Sequence, residues 1–512
     1  MDKEIKVRII DSVSNRESLV YLSEGENLLE ALVRSGMATL NECGGIGICG
    51  KCVIRVIEGT LSTTPQDKEM FSESELSEGY RLACMAYPMT DCKVMLCTEI
   101  NTGYKVVTET ISNMVLSDEG YAIAIDIGTT TLAFALVNLS EGEIIERYSA
   151  VNPQRVYGSD VISRIKASNE GNLHRLSMLI RGELFTGFKS LLNKQRIELK
   201  TVKKIIISGN TTMIHLLMGY SCEGLGVYPF TPINTGIIYT FTDDLFATDI
   251  RVPIMILPGI SVFVGGDITA GLLACGIDRA FKPCLFIDLG TNGEIALGNR
   301  ERIMVTSTAA GPAFEGGNIS SGVGSIPGAI YSVTIDEDNI SYETIDDEPP
   351  LGLCGTGVIE LVSELLKQEI IDTTGLLRDP YFDNGYKLAG INFSQKDIRE
   401  LQMAKGAIRA GVEILINRFG ISYEQLDRVY IAGGFGYHLN IDKAIHIGLL
   451  PNTLLNKTIA VGNTSLSGAI LALGNNDILD RVEHLISFSE EIHLSNDEDF
   501  NDLFVRYMSF NS

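Results

Sequence analysis

The sequence carries no excess of basic residues: 41 Lys and Arg stand against 65 Asp and Glu, a formal net charge of −24. So acidic a surface repels phosphate backbones and anionic bilayers, which sets nucleic acid and membranes aside as partners. Nor is any apolar run long enough to span a bilayer, which takes about 20 residues. The longest such stretch, residues 252–264, is broken by Pro253, Pro258 and Gly259. No secretory leader is expected either, because Asp2, Lys3 and Glu4 put charge where an apolar core would be needed. The expectation is a cytoplasmic protein. Histidine is scarce, six in 512 residues with none before His174, so a mixed Cys/His zinc site has no imidazole to draw on in the N-terminal region.

What is present in quantity is length, glycine and cysteine. A chain of 512 residues exceeds one ordinary core and suggests three or four units at roughly 100 to 200 residues each. Ten cysteines occur, six of them before residue 100. Such clustering in a reducing compartment points to metal or redox chemistry rather than disulfides. Alternating apolar residues predict strands over residues 4–10 and 17–23, a helix over 27–35 with Leu28, Leu29, Leu32 and Val33 on one face, and further strands over 53–59 and 92–96. That order suits a β-grasp domain over residues 1–98. Residues 99–120 turn polar and read as a linker. From Tyr121 onward, β-rich runs end in glycine turns and alternate with helical stretches, the pattern of an α/β domain.

Between residues 43 and 84 the spacing is C-x5-C-x2-C, then 31 residues, then a fourth cysteine. Cys43, Cys49 and Cys52 lie on one tight loop, and Cys84 comes from a later segment. Four thiolates so arranged suit a [2Fe-2S] cluster, and Gly44, Gly45, Gly47 and Gly50 let the loop bring its N–H groups toward the sulfurs. The same loop contains Gly45-x-Gly47-x-x-Gly50 and a near P-loop ending at Lys51. A dinucleotide fingerprint needs a strand before it and a helix after it, the reverse of the order here, and the P-loop's hydroxyl position is Cys52. Cys92, Cys97, Cys222, Cys275 and Cys284 read as ordinary thiols. Cys354, in a glycine-rich turn, stays ambiguous.

The longer part of the chain is duplicated. Residues 123–131, ending Asp126-Ile127-Gly128-Thr129-Thr130-Thr131, are echoed by residues 285–293, ending Asp288-Leu289-Gly290-Thr291-Asn292-Gly293. Residues 205–210, with Gly209 and Asn210, are echoed by 429–434, with Gly433 and Gly434. Gly266-Asp267 is echoed more weakly by Gly462-Asn463. A carboxylate at a strand end, a tight turn and several N–H and hydroxyl donors make a site for a metal phosphate. Two such loops facing each other would hold a triphosphate with Mg²⁺. Gly433, Gly434 and Phe435 would admit adenosine, Asp126 would serve chiefly as a Mg²⁺ ligand, and Asp288 and Glu294 are the candidates for orienting the attacking water. Asp267 is either an outer ligand or a helix N-cap. Glu315, in a glycine-rich loop, either lines the cleft or serves a bend.

The first 98 residues resemble the C-x5-C-x2-C ferredoxins, one-electron carriers. The duplicated loops resemble the phosphate loops of the actin, sugar kinase and Hsp70 type of ATPase. The expected fold is therefore an α+β β-grasp ferredoxin domain followed by a duplicated α/β ribonuclease H-like ATPase, with halves at 121–282 and 283–512. Joined in one chain, with the string Asp288 to Glu294 reading D-L-G-T-N-G-E, they resemble the reductive activators of corrinoid-dependent methyltransferases. That resemblance implies ATP-dependent return of a corrinoid protein's cobalt from Co(II) to Co(I), an uphill step for a donor near −400 mV, roughly where plant-type ferredoxins lie. It also implies an electron donor protein or flavoenzyme upstream. Long members of that family carry an additional middle domain for which the polar linker leaves no room, so a short form is expected. Two rival readings use the same loops: an activator of a radical dehydratase, whose cluster would draw on Cys354, and a redox-regulated small-molecule kinase.

Overall fold

The computed structural model describes residues 5–11, 17–23, 25–35, 52–71, 73–96, 120–336, 339–434, 439–474 and 478–510. Packing divides the chain into two compact units. One comprises residues 1–102, 151–184 and 215–233, and the other residues 103–150, 185–214 and 234–512.

The first unit contains a five-stranded sheet of β1 (Ile5–Asp11), β2 (Glu17–Leu22), β3 (Val53–Glu58), β4 (Tyr80–Leu82) and β5 (Cys92–Leu96), in the order β2-β1-β5-β3-β4. β1 pairs antiparallel with β2 and parallel with β5. Ile5, Val7 and Ile9 point into the core while Lys6 and Arg8 are exposed, the period-two pattern of a half-buried strand. The helix Leu28–Arg34 covers the sheet with Leu28, Leu29 and Leu32. Asn27 fixes where that helix begins. Its Oδ1 accepts from the Leu29 N–H at 2.9 Å and its Nδ2 donates to the Cys84 carbonyl at 2.8 Å, so the helix start and the Cys84 segment are held together. Strand β4 and the helices Pro65–Met70 and Glu73–Ser77 are additions to the elements expected from periodicity. A three-residue strand is too short to show an alternation.

In the second unit the duplication becomes two sheets of the same plan. β6 (Tyr121–Ile127), β7 (Thr131–Asn138), β8 (Glu143–Val151), β9 (Val202–Gly209), β10 (Ile238–Phe241) and β11 (Pro253–Ile256) take the order β10-β11-β9-β6-β7-β8. After β12 (Cys284–Leu289), β13 (Gly293–Gly298) and β14 (Ile303–Thr308) come a small sheet of β15 (Ala329–Asp336), β16 (Asn339–Thr344) and β17 (Gly352–Leu353) and the hairpin of β18 (Tyr386–Leu388) and β19 (Ile391–Phe393). β20 (Val429–Ala432), β21 (Thr458–Gly462) and β22 (Ser489–Glu491) then complete the order β21-β20-β12-β13-β14-β22. In each sheet a central strand, β6 or β12, pairs antiparallel with the strand that follows it and parallel with a strand from much later in the chain, β9 or β20. These are the segments whose sequences echo each other.

Two helices in corresponding places, Gly266–Ala274 and Thr464–Leu471, lie in one apolar core. Ala122, Ala124 and Ile206 enter it from the first sheet, Phe286 and Ala296 from the second, and Ile268, Leu272, Leu466 and Ile470 from the helices. The helices approach closely because Gly271 and Gly468 lack side chains. A Cβ at Gly271 would lie 2.6 Å from the Phe286 ring, and one at Gly468 would overlap the Ala270 carbonyl oxygen. On the far face of the second sheet, Gly355–Lys367 and Gln395–Phe419 bury a larger core that includes Ile287, Ile295, Val358, Ile408 and Leu415. Every phosphate-loop candidate therefore sits at the end of a buried strand.

Candidate functional site

Asp126 is the next-to-last residue of β6, and the chain reverses at once into β7. The Gly128 N–H donates to the Thr131 carbonyl at 3.0 Å, and a Cβ at Gly128 would stand 2.6 Å from that oxygen, so only glycine closes this turn. Beside it β9 ends at Gly209, which packs against the Ile127 carbonyl. Asn210 caps the helix Thr211–Met218 by accepting from the Met213 N–H at 2.9 Å and reaches back to donate to the Thr129 hydroxyl at 3.0 Å. The second half repeats the device. The Gly290 N–H donates to the Asn292 carbonyl at 3.0 Å, and β20 ends just before Gly433, whose φ of 124° and close approach to the Leu289 carbonyl exclude a side chain.

The two halves are not chemically equal. Asp126 pairs in register with Ala133, whereas Asp288 pairs with Glu294, two carboxylates directly opposite one another on neighbouring strands. Asp126 is met by neutral donors from the other half: the Asn463 amide at 2.8 Å and the Ser465 hydroxyl at 2.7 Å. Asp288 instead has Asp267, Asp126 and Glu315 as its charged neighbours. Asp267 does not cap a helix. The helix starts at Gly266 behind Gly265, so Asp267 stands in the first turn, with Oδ1 accepting from the Ile268 N–H at 2.9 Å.

These acids share one cavity. It is lined by Asp126, Gly128, Thr129, Thr130 and Thr131 of the first loop, by Asp288, Gly290, Thr291, Asn292 and Glu294 of the second, and by Asn210, Asp267, Gly433 and Gly434. Gly209, Gly266 and Gly293 lie behind the lining, where they allow strands and helices to approach; a Cβ at Gly266 would come within 2.5 Å of the Leu257 carbonyl. Burial raises the carboxyls of Asp126, Asp267, Asp288 and Glu294, and repulsion adds to it at the last three. Asp267 is pushed up to about 7 by burial and the Asp126 charge, and Asp288 to about 8 by burial and the charges of Asp267, Asp126 and Glu315. Burial likewise raises Glu294 well above the carboxylate range, against the pull of the Ser307 hydroxyl at 3.2 Å. Burial raises Asp126 as well, opposed by its Ser465 and Asn463 hydrogen bonds. Yet no three His, Cys, Asp or Glu side chains among the described residues are placed to enclose a metal ion unaided.

Beside the N-terminal sheet the Cys52 and Cys84 thiols lie 3.2 Å apart, both buried. The Ala83 N–H donates to the Cys52 carbonyl at 2.8 Å, and Asn27 holds the Cys84 carbonyl. Two thiols that converge so closely fit ligation of a common metal centre. Cys43 and Cys49 lie outside the described residues, as does Phe435 of the expected adenosine segment. Cys354 is 1 % exposed, its thiol directed to the Ile330 carbonyl at 3.2 Å and to Thr356. It has no access to a cluster shared with a second subunit. Cys92 and Cys284 are buried thiols, raised by loss of solvation.

Sequence reasoning passed over Gly324 and Ser325, which also line the cavity, and gave Asn463 and Ser465 no role beyond a weak echo. Asn463 caps the helix Thr464–Leu471, its Oδ1 accepting from the Leu466 N–H at 2.8 Å, and that capping pattern was the one signal available. Nothing local tells that its amide crosses to Asp126.

Comparison with known proteins divides the chain in three. Residues 13–89 match the 2Fe-2S iron-sulfur cluster binding domain, 121–280 the RACo middle region, and 282–512 the C-terminal domain of RACo, the ASKHA domain. The chain is 28% identical to the corrinoid activation enzyme RamQ of Eubacterium limosum over 91% of its own length and 93% of that protein's. It is 27% identical to the [Co(II) methylated amine-specific corrinoid protein] reductase of Methanosarcina barkeri over 76% of this chain and 77% of that one. A solved structure of a reductive activator for corrinoid, iron-sulfur protein superposes with a TM-score of 0.71 at 28% identity, covering 98% of both chains. The stretch that matches the RACo middle region, 121–280, is where the structure has the first of the two duplicated sheets.

Proposed function

Because this chain belongs to the family of reductive activators of corrinoid proteins, with an iron-sulfur domain followed by an ASKHA domain, we propose that it uses ATP to return a corrinoid protein from Co(II) to Co(I). The observation that carries the reading is one cavity where the phosphate loops of both halves meet five carboxyl side chains, those of Asp126, Asp267, Asp288, Glu294 and Glu315, in a chain that also holds the converging thiols of Cys52 and Cys84. A cavity of that charge favours a ligand that delivers positive charge, and Mg²⁺ on a triphosphate does so.

Asp126 and Asp288 would hold the Mg²⁺, directly or through water, with Asp267 as an outer ligand. The turns at Gly128 and Gly290 offer N–H groups to the phosphates, together with hydroxyls of Thr129, Thr130, Thr131 and Thr291 and the Asn292 and Asn210 amides. Gly433 and Gly434 give the adenosine a surface without side chains. Asp288 and Glu294 orient the attacking water, a task that needs position more than basicity. Cys52 and Cys84, with Cys43 and Cys49, would hold the [2Fe-2S] cluster, which when bound supplies one-electron transfer. Asn27 keeps the Cys84 segment against the helix Leu28–Arg34, so that the thiols hold their separation.

The division that goes with this reading is a ferredoxin domain at 1–98, a linker at 99–120 and ATPase halves at 121–282 and 283–512. An electron donor protein or flavoenzyme stands upstream, the setting is the cytoplasm, and neither nucleic acid nor membrane takes part. Among the described residues no helix is long and apolar enough to cross a membrane, and the net charge of −24 disfavours polyanions. The test is to mix the full-length, cluster-loaded protein with a reductant, a Co(II) corrinoid protein and ATP and to follow the Co(I) absorption. Co(I) should accumulate only with ATP; cobalt that stays Co(II) with its authentic partner present would sink the reading.

A further inference from the structure

Glu315 connects the two phosphate loops. Its Oε2 accepts a hydrogen bond from the Thr291 hydroxyl at 2.6 Å and a longer one, 3.4 Å, from the Thr130 hydroxyl. One threonine belongs to each half of the duplication, so a single carboxylate bridges loops that come from opposite sheets. The backbone beneath it is pinned. Phe314 is fully buried, its carbonyl packs on Gly355 where no Cβ would fit, and the N–H of Gly316, at φ 77°, donates to the Ala313 carbonyl at 3.1 Å. What can move is the Glu315 side chain, about its own rotatable bonds.

A threonine hydroxyl has one proton to give. While Thr291 gives it to Glu315, it cannot give it to a phosphate oxygen. A phosphate entering between the loops also meets the carboxylate as a like charge within the same cavity. Glu315 and a phosphate that spans both loops therefore compete for the same donors.

We propose that Glu315 is a latch on the nucleotide site, holding the Thr130 and Thr291 hydroxyls until the terminal phosphate of the nucleotide displaces it from both. This rests on the nucleotide reading above and adds a specificity-determining residue to it. The displacement falls on a ligand long enough to reach both loops, so Glu315 restrains triphosphate binding more than diphosphate binding. It also makes the position of the Glu315 side chain a readout of which nucleotide is bound.

The experiment is calorimetric titration of full-length, cluster-loaded protein, wild type and Glu315→Gln, with Mg²⁺ and either the β,γ-imido analogue of ATP or ADP. Loss of one charge-assisted hydrogen bond and of the facing charge should tighten binding of the triphosphate analogue about tenfold, with a change under about threefold for ADP. Glu315→Ala should move in the same direction, and in a Thr291→Val background the gain from Glu315→Gln should shrink, because one of the hydroxyl protons in dispute is gone while the facing charge is not. Unchanged or weaker triphosphate binding in Glu315→Gln, or an equal gain for ADP, overturns the latch. Weakening that depends on Mg²⁺ would make Glu315 a metal ligand instead, and unchanged affinity with slowed phosphate release would make it a group that orients water. Wild-type protein that binds neither nucleotide would be a separate result, refuting the nucleotide reading itself.

Discussion

Asp288 and Glu294 face each other across β12 and β13 with Asp267 nearby, a placement that costs the fold stability and that a cation-bearing ligand relieves. The pH dependence follows from the direction of the shift. Asp288 titrates near 4 in an unfolded chain but is pushed up to about 8 in the folded one, chiefly by burial. Between those values the folded state binds more protons than the unfolded state, so stability falls as pH rises through the window and the loss is complete above about 8. Asp288→Asn removes the buried charge. Its thermal midpoint in nucleotide-free buffer should exceed that of wild type by about 2–4 °C at the alkaline end and match it near pH 4, while ATP-dependent corrinoid reduction is lost. A midpoint at or below wild type in alkaline buffer would show that Asp288 is not held against repulsion. Asp126 was legible as a strand-end acid, and so was Asp288. That Asp126 is met by neutral donors from the other half was not legible, because Asn463 and Ser465 come from more than 300 residues away.

The helices Gly266–Ala274 and Thr464–Leu471 connect packing to chemistry. Thr464–Leu471 begins just after Asn463 and carries Ser465, the two donors to Asp126, and it is seated by the absence of a side chain at Gly468. Gly468→Ala drives a methyl group into the Ala270 carbonyl, which is backbone and cannot swing aside. It should cost about 1–3 kcal/mol and weaken nucleotide binding, as the donors shift with the helix. Gly182→Ala is the contrast: a Cβ there meets open space on the helix Leu173–Gln195, so it should stabilise by about 0.5–1 kcal/mol. Chemical denaturation and nucleotide titration of both variants check the pair, and equal behaviour would contradict the close helix crossing. The central strands were readable in the sequence because strand, acid and glycine turn recur in order. Pairing partners as far apart as β12 and β20 depend on chain reversals that no short window contains.

At the scale of the whole molecule, the proposed function would require the N-terminal thiols and the nucleotide cavity to act on one partner. If residues 99–120 are the tether between them, removing about half of that segment should slow ATP-dependent corrinoid reduction severalfold, since effective concentration depends on linker reach. The visible spectrum of the cluster and the affinity for nucleotide should stay as in wild type. An unchanged reduction rate would mean that reach is not limiting. The acidic charge is a second whole-chain property. It bears on which polyanions are repelled and says nothing of fold.

The sequence by itself determined the β-grasp ferredoxin fold with its cysteine spacing, the duplicated ATPase plan, and the family to which their fusion belongs. Those features are written in short windows: a period of two along strands, cysteines counted a few residues apart, an acid followed by glycine at a buried strand end. Only the tertiary structure decided that Asp288 lies against Glu294 and Asp267 while Asp126 is met by Asn463 and Ser465, that Gly209, Gly266 and Gly293 are spacers rather than lining, and that Glu315 bridges both loops. The physical reason is range. Backbone conformation and burial pattern follow from neighbours along the chain, whereas a hydrogen bond or a carboxyl's charge state depends on whichever groups folding brings within a few ångströms, and at Asp126 those come from the opposite half of a duplicated fold.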